Sequence, residues 1–126
     1  MEVEMENNQP TIEQLLKNME KISGGDPRPM RVLAQINPAF VFEQARGRKM
    51  VMELPHIPAK YKHLIMIAVA AAGESEMCTT TFMKAAKIAG ISKEEIAEAI
   101  MVARQAKAAT IFATSVEGFE EILKDS

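Results

Sequence analysis

At 126 residues, with 48% apolar and 25% charged residues, the chain has the size and composition of one ordinary globular core. A formal net charge of −2, with five Phe and one Tyr as the only aromatics, offers neither a basic field for phosphates nor stacking platforms, so no nucleic-acid partner is expected. The longest apolar run, Leu64 to Ala72, is too short to span a membrane, the acidic opening MEVEMENNQP is unlike a signal peptide, and a single cysteine can form no internal disulfide; together these point to a cytoplasmic protein.

Residues 1–10 are polar and expected to be disordered, which leaves 11–126 as a single domain. No stretch alternates with period two, so the expected fold class is all-α. Thr11, with Gln14 three residues on, caps a helix whose apolar stripe is Ile12, Leu15, Leu16, Met19 and Ile22, and SGGDPRP ends it. A short helix follows over Met30 to Gln35. Asn37 as cap and Pro38 in the first turn open a third helix that runs to about Glu53. LPHIPAK is an extended connector into a fourth helix from Ala59 to Ala72, with Gly73 as a left-handed stop. From Leu64 onward this helix is apolar on every side, which predicts burial all round, part of the cover coming from a partner subunit.

A fifth helix runs from Ser75 to Ala89 and stops at Gly90. Ser92 and Glu95 then form a capping box for a long alanine-rich helix through Ile96, Ile100, Ala103 and Ile111. A separate short amphipathic helix around Phe119 and Leu123 closes the chain. The ten methionines read as fillers of irregular gaps in the core.

Chemistry concentrates around Cys78. On a helix it shares one face with Phe82, Ala85, Ala86 and Ala89, which directs it into the packed side, where a free cysteine is ordinarily a buried core residue. Its place in the first turn allows the opposite reading. Unsatisfied amides and the helix dipole there favour a thiolate, against the opposing charges of Glu74 and Glu76. A nucleophilic thiol needs a base, and only His56 and His63 could provide one. His56, in the connector, reads as an exposed loop residue. His63 shares a face with Met66, Ile67 and Ala70, and the reversal at Gly73 predicts a helical hairpin that brings it towards Cys78; the plain alternative is a helix-end histidine that hydrogen-bonds or meets solvent.

Thr79, Thr80 and Thr81 suit local bonds to the backbone, with a polar pocket beside Cys78 as a lesser reading that includes Thr81. Two separated histidines and one cysteine lack zinc-ligand spacing, and no glycine-rich loop joins a strand to a helix, so no metal or cofactor is expected. The run Lys93, Glu94, Glu95, Glu98 is a solvated helix start.

The stretch IPAKYKHLIMIAVAAAGESEMCTTTFMKAAKIAGISKEEIAEAIMVARQAKAATIFA resembles the carboxymuconolactone decarboxylase family, particularly its alkylhydroperoxidase AhpD-like branch, and INPAFVFEQ is similar to the family's preceding helix. The resemblance implies an all-α, AhpD-like helical bundle that assembles into homo-oligomers, often trimers or hexamers. The branch pattern has a glutamate, a CxxC pair beginning twelve residues on, and a histidine four residues after the second cysteine. Aligned on Gly90, those positions fall on His63, Ser75, Cys78 and Phe82, so only the second cysteine is retained.

By resemblance, Cys78 is the nucleophile towards peroxide. Ser75 cannot resolve a sulfenic acid into a disulfide, so a one-cysteine, peroxiredoxin-type antioxidant cycle would draw on an external thiol reductant. Phe82 cannot relay a proton, and His63 is the candidate base in its place. A competing reading is a non-catalytic oligomeric member that binds a small apolar ligand, in a pocket around Phe82 and Met83, or another protein. A third is a lactone decarboxylase using His63, although members with that activity keep the histidine that Phe82 replaces here.

Overall fold

A computed structural model describes residues 9–124, so the expectation of disorder over residues 1–10 falls, for residues 1–8, outside the described residues. The described residues form six helices and no strands: α1 (Ile12–Ser23), α2 (Arg28–Ile36), α3 (Pro38–Glu53), α4 (Ala59–Ala72), α5 (Glu76–Ile88) and α6 (Lys93–Lys124). No helix among them is long and apolar enough to cross a membrane.

The caps read from sequence set most of these boundaries. Thr11 Oγ1 accepts the Gln14 N–H at 3.1 Å while Gln14 Oε1 accepts the Thr11 N–H at 2.9 Å. Asn37 Oδ1 accepts the Ala39 N–H at 3.1 Å and opens α3. Ser92 and Glu95 form the second reciprocal box, each backbone N–H reaching the other's side chain at 3.1 Å. Each pair satisfies donors that a helix start leaves orphaned.

Chain reversals follow two patterns. The fifth helix stops at Gly90 as expected, in a left-handed conformation at φ 93°, with the N–H of Ile91 reaching the Ala86 carbonyl at 3.0 Å. At the end of α4 the expected stop is displaced by one residue. Gly73 keeps φ −82°, and Glu74 takes the left-handed conformation at φ 60° while the Ser75 N–H bonds to the Ala70 carbonyl at 3.0 Å. Position 73 is nonetheless tight, since a Cβ there would sit 3.2 Å from the Val69 carbonyl oxygen.

The core is built where α4, α5 and the start of α6 meet. Ile67, Ala86, Ile91 and Ile96 are buried together, with Leu64, Phe82, Met83 and Ile100 packed around them. Two polar ties fasten α4 to its neighbours. Lys62 is buried and donates from Nζ to the carbonyls of Met52 at 3.1 Å and Leu54 at 2.6 Å, satisfying the orphaned end of α3. Lys60 pairs with Glu95, and that pair, helped by hydrogen bonds from Ser92, holds the Glu95 carboxyl down at about 2.

Within the subunit α4 is covered on one side: Ile67 and Ala70 are buried, while Ile65 and Val69 face outward, Val69 at 66% exposure, on the side for which the sequence reading looked to a partner subunit. One sequence expectation needs correction. The last segment is not a separate helix, because α6 continues for 32 residues to Lys124. No proline interrupts it, and the hydroxyls of Thr110 and Ser115 fold back onto the carbonyls of Lys107 and Ile111 at 2.6 and 2.7 Å, so these polar residues stay within the helix. At 1.5 Å per residue α6 is about 48 Å long, and from Arg104 on every described residue but Ser115 is exposed.

Candidate functional site

Ser75 is the N-cap of α5, placing Glu76, Met77 and Cys78 in the first turn. Its hydroxyl accepts the Cys78 N–H at 3.4 Å, and its carbonyl accepts the Thr79 hydroxyl at 2.7 Å. Thr79 therefore bonds locally, as its type predicts; Thr81 is half-buried.

Cys78 is exposed, which overturns its expected place in the packed side. The helical spacing is right, since Phe82 is half-buried and Ala85 and Ala86 are buried. The error lies in extrapolating that face to the helix end, where no element of the same subunit covers it. The thiol thus lies open to solvent in the first turn of α5.

His63 is buried, at 8% exposure, and its Nδ1 has no hydrogen-bond partner among the described residues. Burial, with the Arg48 guanidinium second, lowers its pKa below the ordinary 6.5. The imidazole is neutral at pH 7 and able to accept a proton. His56 is exposed in the connector, as read from sequence.

The hairpin expected from the Gly73 reversal is present, joined by the short turn between Ala72 and Glu76. No hydrogen bond links His63 to Cys78. His63 lies nine residues before the end of α4 and Cys78 two residues after the start of α5. In an antiparallel pair rising 1.5 Å per residue, that is an axial offset of about 10 Å. Phe82, one turn beyond Cys78 on the same face, lies between the two levels. It packs against the core and accepts no hydrogen bond, in keeping with the unpartnered Nδ1 of His63.

Phe82 and Met83, around which a pocket was expected, pack onto the Ile67–Ile96 cluster. Open space lies instead between α1 and α3, in a cavity of about 690 Å³ that Arg48 helps to line. Sequence reasoning passed over Arg48 and Lys62. For Arg48 a signal existed: Ala45, Arg48 and Met52 stand at helical spacing, which puts a guanidinium on an otherwise apolar face. For Lys62 there was none, since its partners are backbone carbonyls of another helix.

Compared with known proteins, the chain matches the model of the Carboxymuconolactone decarboxylase family over residues 43–120. No curated protein matches it.

Proposed function

Because the chain belongs to the carboxymuconolactone decarboxylase family, we propose that it is an AhpD-like member carrying out one-cysteine thiol peroxidase chemistry at Cys78. The observation that carries this reading is the exposure of the Cys78 sulfur in the first turn of α5, at the position of the branch's second cysteine. In the first step the Cys78 thiolate attacks the distal oxygen of a hydroperoxide. The O–O bond breaks, an S–O bond forms, and the departing alkoxide takes a proton to leave as alcohol. An external thiol then displaces water from the sulfenic acid to give a mixed disulfide, and a second external thiol attacks its outer sulfur, freeing the Cys78 thiolate and forming the external disulfide. Ser75, at the first-cysteine position, has no sulfur with which to shorten this sequence.

In this proposal the thiol proton leaves for solvent, to which the sulfur has direct access. Neutral His63, buried about two turns from Cys78, is the second candidate acceptor for that proton. The test is the rate of thiol alkylation against pH, together with peroxide consumption in the presence of a small thiol, for wild type and His63→Ala. A thiol that alkylates and turns over peroxide at neutral pH supports the reading. An upward shift of the thiol pKa in His63→Ala assigns His63 its part, and an unchanged pKa removes it. A thiol inert to peroxide at neutral pH overturns the assignment.

The proposal includes self-association, with a trimer or hexamer as the family pattern. The chain exposes 9908 Å², against about 6,700 Å² for a compact monomer of this mass. Phe112, Val116, Phe119 and Leu123 make an exposed stripe on α6 at helical spacing, suited to a second copy.

A further inference from the structure

The cavity between α1 and α3 has features that the thiol chemistry does not use. Its volume, about 690 Å³, lies in the range of small-molecule sites. Leu15, Met19 and Ile22 of α1 face Phe42, Ala45 and Met52 of α3 across it, giving apolar walls. The polar groups at its edge are unequal. Arg46 is held by Glu43 through both carboxylate oxygens, at 2.7 and 2.6 Å, and this pair is exposed. Lys49 and Glu53 are exposed and of opposite sign. Arg48 is half-buried, and none of the ion pairs among the described residues includes it. An apolar channel whose wall carries a guanidinium outside every ion pair of the described residues is complementary to a molecule with an apolar body and a single anionic end.

We propose that this cavity binds a small amphiphile with one anionic head, of the class of medium-chain carboxylates, its tail between α1 and α3 and its head on Arg48. Burying the tail provides the bulk of the affinity, and the guanidinium selects the charge, since its planar fork matches a carboxylate. The site is distinct from Cys78, whose helix contributes no residue to the lining.

The test is calorimetric titration of the full-length protein with decanoate, decanol and decyltrimethylammonium, all below their micelle concentrations. Decanoate is expected to bind saturably, one per subunit, and decanol at least about tenfold more weakly, the loss of one charge-assisted contact. Decyltrimethylammonium is expected to bind more weakly still. Arg48→Met should bring decanoate to the level of decanol while leaving decanol unchanged, and Ala45→Trp should abolish both by filling the space. Should Ala45→Trp fail to fold, Arg48→Met decides alone, because it is read as a change of preference between two ligands on one protein. Absence of saturable decanoate binding, equal binding of the anionic and cationic chains, or an unchanged preference in Arg48→Met would each overturn the proposal.

Discussion

The Ser75 hydroxyl accepts the backbone N–H of Cys78 at 3.4 Å, so the residue that the proposed resemblance aligns with the first cysteine of CxxC serves here as a helix cap. Ser75→Ala is expected to cost about 1 kcal/mol, the usual worth of a serine N-cap. Ser75→Cys restores the two-sulfur spacing. Under mild peroxide it should lose both free thiols in an intramolecular disulfide, while wild type under the same conditions forms none within the chain. Thiol counting and intact mass before and after reduction distinguish the two.

His63 should titrate below pH 6.5, as followed by NMR of its ring proton. Burial is the larger cause and the Arg48 charge the smaller. Arg48→Met should therefore raise the midpoint only part of the way back. The unfolded chain takes up this proton before the folded one, so the contribution of His63 to stability is complete above pH 6.5 and declines as pH falls below it. A midpoint at or above 6.5 in wild type would refute this account.

Lys62 binds the end of α3 to α4 through the Met52 and Leu54 carbonyls. Lys62→Met retains most of the buried stem and removes the donors. Two hydrogen bonds to a charged group are lost from a buried site, and a destabilisation of about 2 kcal/mol is expected in urea unfolding.

Glu74 occupies a left-handed backbone conformation, with φ 60°, in the turn before Ser75. A side chain there costs about 1 kcal/mol relative to glycine. Glu74→Gly should accordingly raise stability by several tenths of a kcal/mol to about 1 kcal/mol in the same assay. A loss of stability would show that Glu74 makes a compensating interaction.

The stripe on α6 predicts that wild type sediments as a multimer and that Phe112→Asp combined with Phe119→Asp sediments as a monomer with its helix content retained. Phe112 and Phe119 are 72% and 49% exposed in the single subunit, so retained helix content in the variant separates loss of the interface from loss of the fold. A wild type that remains monomeric at micromolar concentration would rule out this interface.

Helix positions were legible in the sequence because the signals are local. Thr11 with Gln14, Asn37 with Pro38, and Ser92 with Glu95 each act within a few residues, and α1, α3 and α6 begin where these signals place them. The family was legible for a related reason, since the spacing from His63 to Gly90 is a linear pattern. What depends on neighbours distant in sequence was not. Helical periodicity gives the direction of a side chain but not whether anything lies opposite it, so Cys78, on the same face as the buried Ala85 and Ala86, was expected inside and is exposed.

By itself, then, the sequence determined an all-α chain of capped helices with one thiol at a helix start, because capping and periodicity are short-range properties of the backbone. Only the tertiary structure decided that His63 lies buried beside the field of Arg48, about two turns from Cys78, and that the open space lies between α1 and α3. Those facts follow from the register of packed helices, which is set by side chains meeting across the core.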